Sequence, residues 1–323
     1  MQTARWIRAV ALAGTAVLAL AGCAIEVEPR VAAPGLPTGV PCGTVTFANS
    51  PWIGYEANLA VVSYLAKTRL DCTVVEKDLT AEEAWEALAA GEVDAILENW
   101  GRDGLKKRYI DEERVAVEHG MTGNQGVVGW YVTPWVVEQY PEITNWRKLN
   151  DYAHLFRTPT SGGKGAFLLG DPSYETNDRA LIRNLKLDFT ISVTGSEDKL
   201  IEAFREAERN RRAAIGYFYA PQWFLAEVDL VHVKLPPYSP GCDAVPEKVA
   251  CDYQPYDLDK IANRAFAESG NPAAELVKNF QWTNADQNEV ARYLTVDKLS
   301  RDEAARKWLD ANPDAWQSWL PAD

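Results

Sequence analysis

The apolar positions of the first hundred residues change period several times. Gly43–Ala48 is a short β-branched run that reads as a strand, closed by Asn49-Ser50-Pro51. Ala57, Ala60, Val61, Tyr64 and Leu65 then recur at helical spacing, the stripe of a helix with one face in a core. Cys72–Val75 is the next strand. Thr80 and Glu83 form a capping box, and Ala84, Trp85 and Leu88 continue one face until Gly91 stops the helix. Val93–Leu97 is a third strand, running out at Glu98-Asn99-Trp100. Strands alternating with helices over short connections predict a parallel sheet with helices packed on it, an α/β architecture.

A weaker echo of that unit lies further on. Ser196 opens a helix with Leu200, Phe204 and Ala207 inward, followed by a strand over Ala213–Tyr217. Between the two units, Val127–Val132 reads as a strand and Pro134–Tyr140 as a short helix. From Asp257 onward the pattern predicts helices, with Trp308, Trp316 and Trp319 packing among them. Ligands collect at the carboxyl ends of strands in open α/β sheets, so Trp100 and Tyr217 mark candidate walls of a shared cleft. Ser161-Gly162-Gly163-Lys164-Gly165 fails as a phosphate loop: Gly165 follows the Lys where Ser or Thr is needed, and Thr158 stands where the leading Gly belongs.

The ends and the composition narrow the class. Arg5 and Arg8 precede an uncharged apolar run, Ala9–Leu20, too short for a span of about 20 residues but suited to a signal peptide over 1–22. Leu20-Ala21-Gly22-Cys23 looks like a bacterial lipobox, which makes Cys23 a lipid-modified tether; residues 23–41, rich in Pro and Gly, read as a spacer. The body of about 280 residues is long enough for two domains. Its formal charge, −13 for the whole chain and more negative without the two leader arginines, argues against binding nucleic acid through phosphates. Four cysteines remain, and an extracytoplasmic location permits disulfides. Of three possible pairings, Cys42 with Cys72 and Cys242 with Cys251 is preferred, because each pair flanks neighbouring strands or closes a short loop.

Motifs for hydrolytic, redox or metal chemistry are missing from the sequence. There is no G-x-S-x-G, H-E-x-x-H or C-x-x-C, and His119, His154 and His232 are scattered singly. The aromatics, in contrast, gather at strand ends: Trp52 at a strand-to-helix junction, Trp100 at a strand terminus, Trp130 and Tyr131 within a strand, and Tyr217, Tyr219 and Trp223 around another. Such groups suit a trimethylammonium cation, which has no N–H to donate and is held instead by aromatic faces worth ~0.5 to 2 kcal/mol each. Three or four faces fall short of the roughly 8 kcal/mol of a micromolar site, so a second anchor is needed. For glycine betaine that anchor would be its carboxylate, at the N–H groups of Ile53 and Gly54 that open the helix after Trp52.

Residues 43 to 320 resemble the glycine betaine, choline and proline-betaine binding proteins of ABC importers. The matching pieces are Trp52, "LAAGEVDAILENW" ending in Trp100, "GWYVTPW" and "IGYFYAPQWF". The resemblance implies a two-lobed type II periplasmic-binding-protein fold, with hinge strands and an interlobe cleft. It implies lobe I over 42–126, lobe II over 127–230 and a return to lobe I over 231–323. It also implies a cage of Trp52 and Trp100 from one lobe and Trp130 and Tyr217 from the other. The family usually has Trp where this chain has Tyr217, which leaves open which of Tyr217, Tyr219 and Trp223 faces the ligand. Choline-type members tend to carry an acid at the position of Gly54, so glycine betaine is expected over choline or carnitine. A monomeric, cofactor-free and metal-free lipoprotein delivering its solute to membrane permease subunits is the resulting expectation; the rival is an exported enzyme with an unrecognised carboxylate pair.

Overall fold

The computed structural model describes residues 40–174 and 176–322. The expected signal peptide, Cys23 and nearly all of the spacer lie outside the described residues. In chain order the strands and first helices are β1 (Thr44–Asn49), α1 (Ile53–Arg69), β2 (Thr73–Asp78), α2 (Ala81–Ala89), β3 (Ala95–Asn99), β4 (Ala116–Val132), β5 (Gly165–Leu169), β6 (Phe189–Val193), β7 (Ile215–Ala220), β8 (Val231–His232) and β9 (Tyr256–Asn263). The helices read from the sequence in the first unit and at Ser196 are present. The capping box of Thr80 and Glu83 closes reciprocally at the start of α2, and Ser196 caps the helix Glu197–Arg209 through the N–H of Lys199.

Hydrogen bonding orders the strands β2-β1-β3-β9-β4-β7-β5-β6, with β8 added to β4. β1 pairs in parallel with β2 and β3, β5 pairs in parallel with β6 and β7, and β9 and β4 run antiparallel between the two parallel sets. β4 joins the halves, pairing with β9 along Ala116–Gly126 and with β7 along Val127–Val132. One core gathers around α1 and the first half, with Val45, Phe47, Leu59, Leu65 and Leu97 fully buried; the other holds Trp130, Val132, Phe167, Ile215 and Val249. α1 is buried on nearly all faces, because the helices Asn284–Thr295 and Arg301–Ala311 cover the side turned away from the sheet.

Three features depart from the sequence pattern. β4 begins at Ala116, not Val127, since its first half is rich in Gly and polar residues and its register against β9 shifts twice. Such irregularity erases the period-two signal. The segment from Asp257, expected to be helical, begins inside β9, which lies between β3 and β4, and helices begin only at Arg264. Val231–His232 pairs with Val132 and Tyr131, and Val233, Leu235 and Val249 pack into the second core. From Tyr256 the chain pairs with β3 and β4.

Both expected disulfides are present: Cys42–Cys72 joins the entries of β1 and β2, and Cys242–Cys251 closes a loop beside the second core. Their sequence separations are 30 and 9 residues. Loop-closure entropy then assigns them about 3.6 and about 2.6 kcal/mol. Urea unfolding of Cys42→Ala/Cys72→Ala should accordingly show the larger loss, by about 1 kcal/mol. The reverse order would mean that the denatured chain already holds β1 near β2.

Candidate ligand-binding cleft

Each half contributes to the cleft where its strands end. Asn49 ends β1, and Trp52, extended at φ −142° and ψ 147°, becomes the N-cap of α1 with no side-chain cap of its own. Trp100 follows β3 directly. On β7, Tyr217 and Tyr219 share a face because strand side chains alternate. Trp52, Trp100, Tyr217 and Tyr219 line one cavity of about 940 Å³, with Glu98 in its wall. Trp100 meets Tyr219 edge-on at 5.7 Å and Tyr256 at 5.9 Å, while Tyr217 lies 5.9 Å from Tyr174. Gly126 on β4 permits this arrangement: a Cβ there would stand 2.6 Å from the Trp100 ring.

Glu98 organises the first wall. Its Oε1 accepts from Trp52 Nε1 at 2.8 Å and from Trp100 Nε1 at 2.7 Å; its Oε2 accepts from Asn58 Nδ2 at 2.5 Å and Gln287 Nε2 at 2.8 Å. One carboxylate therefore fixes both indoles. It is only 2% exposed, and burial raises its pKa against the pull of those four donors.

Glu197, the first residue of the helix Glu197–Arg209, supplies a second buried carboxylate. It accepts from Tyr219 Oη and, at 2.6 Å, from Gln222 Nε2, both in its own half, and at 2.8 Å from the backbone N–H of Ile53 at the head of α1. Burial pushes its carboxyl up to about 7. Tyr174 Oη, donating to the Pro51 carbonyl at 3.2 Å, makes another contact between the halves.

Not every expected site residue meets the cavity. Trp130 is fully buried in the second core, its Nε1 donating to Asp178 at 2.7 Å and its ring 4.4 Å from Phe167. Tyr253 Oη donates to the same Asp178 oxygen and lines the cavity, so Trp130 sits behind the wall rather than in it. Trp223 also packs inward, which leaves Tyr217 and Tyr219 as the residues of that segment on the cavity. Ile53 has its N–H taken by Glu197. A Cβ on Gly54 would lie 2.4 Å from Gln287 Nε2, so Gly54 faces the Gln287 side chain that holds Glu98. Sequence reasoning passed over Tyr174, Tyr253, Tyr256 and Arg102 in the wall; a Tyr- and Pro-rich loop around the second disulfide was the available signal for Tyr253 and Tyr256. Among the described residues no group of three His, Cys, Asp or Glu is placed to hold a metal ion.

Two halves on a continuous sheet, with an aromatic-walled cavity at the strand ends, give the two-lobed architecture of periplasmic binding proteins. Residues 43–311 match the family described as the substrate binding domain of ABC-type glycine betaine transport systems, and the chain belongs to that family. It is 29% identical over 192 residues to the trimethylamine N-oxide-binding protein of Pelagibacter ubique, covering 56% of this chain and 60% of that protein, less than two thirds of its length. Among solved structures it resembles a choline binding protein of an ABC transporter in complex with choline, at TM-score 0.68 and 16% identity over 86% of this chain and 91% of the other. It equally resembles lactococcal OpuAC in its closed form with glycine betaine, at TM-score 0.68 and 17% identity over 86% of this chain and all of that one. At such identities these structures speak to the fold alone.

Proposed function

We propose that this protein captures a compact trimethylammonium solute, of the betaine and choline type, in a cage of Trp52, Trp100, Tyr217 and Tyr219, and delivers it to an ABC permease. The observation that carries the reading is the shared carboxylate: Trp52 and Trp100 both donate their indole N–H to Glu98. This arrangement turns two aromatic rings and one negative charge toward the same cavity. A cation that cannot donate hydrogen bonds gains from all three at once. Closure of the halves over the solute would present a single surface to the permease, and Cys23 would tether the protein on the extracytoplasmic side. The named ligands of the relatives, trimethylamine N-oxide and choline, and the betaine of the family description fall within this class.

Calorimetric titration with glycine betaine, choline, carnitine, proline betaine and trimethylamine N-oxide tests the proposal. Trp52→Ala and Trp100→Ala should each weaken the best ligand at least tenfold, the loss of one desolvated cation-π face plus its packing, at a stability cost of about 1 to 3 kcal/mol for the indole donor withdrawn from buried Glu98. Turnover of any of these compounds would point to the enzyme instead. A variant that melts far lower yet binds normally once folded would make that Trp a core residue.

A further inference from the structure

The cage residues supply only part of the cavity wall. Tyr238, Gly241, Asp243 and Ala244 line it from a loop that leaves the second core at Leu235 and rejoins it at Val249. Both ends of this loop are pinned. The Asp252 N–H donates to the Pro236 carbonyl at 2.7 Å, and Asn184 Nδ2 donates to the carbonyls of Glu247 at 3.0 Å and Val249 at 2.8 Å. The span 237–244 between them is not. Among the described residues its hydrogen bonds all close within itself: Cys242 N–H to the Ser239 carbonyl, Ala244 N–H to the Gly241 carbonyl and Ser239 N–H to Cys242 Sγ. Tyr238 packs partly against the second core, and the covalent tie of the span is the Cys242–Cys251 disulfide. Cys251 is the fixed partner, buried in that core. The chain just beyond it carries Tyr253, 6.5 Å from the Tyr217 ring, and Tyr256, 5.9 Å from that of Trp100.

We infer that the Cys242–Cys251 disulfide is a positioning element of the ligand site: it holds the span 237–244 as a wall of the cavity, so that breaking it weakens solute capture in a protein that stays folded. The inference rests on the reading of this cavity as the solute site and adds a part to it. A loop held shut only by ligand contacts has to be ordered at the moment of binding, and the apparent affinity falls by the fraction of molecules in which it is already shut. With the disulfide intact, that ordering is complete before the ligand arrives. The other disulfide serves as the control: Cys42–Cys72 joins the entries of β1 and β2, and neither cysteine lines this cavity.

The test is calorimetric titration and stopped-flow binding of choline, glycine betaine and trimethylamine N-oxide to the wild type, Cys242→Ala/Cys251→Ala and Cys42→Ala/Cys72→Ala. The first variant should bind the tightest of these ligands about tenfold more weakly or worse, with most of the loss in faster dissociation. Hydrogen exchange in the ligand-free variant should rise across 237–244 and stay slow at Val249, in the core. The second variant, although it loses more stability, should keep its affinity to within about twofold. Where the first variant does not fold, mild dithiothreitol on the wild type supplies the same reading. The dithiol is oxidised to its cyclic disulfide and two thiols form, at Cys242–Cys251 first, because Cys242 is partly exposed while Cys42 and Cys72 are both buried. Unchanged affinity once Cys242–Cys251 is open, or an equal loss in Cys42→Ala/Cys72→Ala, overturns the inference with the cage intact. Failure of all three ligands to bind the wild type would sink the trimethylammonium reading and the inference with it.

Discussion

Glu98→Gln is expected to weaken binding of a trimethylammonium ligand at least a hundredfold and to destabilise the ligand-free protein by about 1 to 3 kcal/mol. The two effects have separate causes. Four side-chain donors converge on the carboxylate, two of them the cage indoles, and its two oxygens accept from all four. An amide offers one oxygen and one NH₂; with both indoles on its oxygen, its NH₂ faces Asn58 and Gln287, and the Asn58 amide can turn to accept only by giving up its bond to the Gly54 carbonyl, a buried polar group left unsatisfied at a cost of about 1 to 3 kcal/mol. The ligand loses its counter-charge as well. A cation about 5 Å from a carboxylate gains about 3 kcal/mol at an effective dielectric of about 20, which is a hundredfold in affinity. Chemical denaturation reads the first effect and calorimetry the second. Wild-type affinity in a folded Glu98→Gln protein would mean that the cation does not sit against this wall.

The particular residues show where sequence reading reaches and where it stops. Trp52 and Trp100 were legible because their position is local: Trp100 directly follows β3 and Trp52 lies in the short turn from β1 to α1, and strand ends in α/β folds open onto the ligand. Both disulfides were legible for the same reason, since each joins neighbours in the chain or in adjacent strands. β9 was not. It is buried on both faces between β3 and β4 and should read as an apolar run, yet its sequence, Tyr-Asp-Leu-Asp-Lys-Ile-Ala-Asn, carries three charges. The structure accommodates them individually. Asp259 takes hydrogen bonds from Asn99 and Lys106, and fully buried Lys260 donates to the carbonyls of Lys278 and Phe280, with burial lowering its pKa to about 7. Those partners come from 18 to 160 residues away, beyond any window of periodicity.

The head of α1 gives the same lesson at the site. The sequence correctly locates a helix N-terminus after Trp52, a place that favours an anion. It cannot say which anion arrives, because the answer is a side chain on the far half of the molecule. The expected preference for betaine rested on an open N–H and on Gly54 standing where choline-type members carry an acid; the structure puts Glu197 on that N–H and Glu98 in the cavity wall.

Trp130→Ala should cost about 3 to 5 kcal/mol of stability, while the affinity of the folded protein changes far less than in Trp100→Ala. The contrast follows from depth along one face of the β4–β7 pair. Val128 lies opposite Tyr219, Trp130 opposite Tyr217 and Val132 opposite Ile215, so these six side chains share a face. At the Val128 and Tyr219 end that face lines the cavity; at the Val132 and Ile215 end it is core. Tyr217 stands at the boundary, touching both, and Trp130 across from it is turned to the core side, against Phe167 and Asp178. The cage role of Trp130 was implied by the family resemblance; period-two alternation assigns a residue to a face and says nothing of its depth along it, so the pattern itself could not have corrected that role. Removing its side chain leaves a cavity in a close-packed core and deprives Asp178, fully buried, of one of its donors, while Tyr253 still holds that carboxylate from the cavity side. Denaturant unfolding and calorimetry on the same preparation decide the matter. A hundredfold loss of affinity with unchanged stability would return Trp130 to the cage.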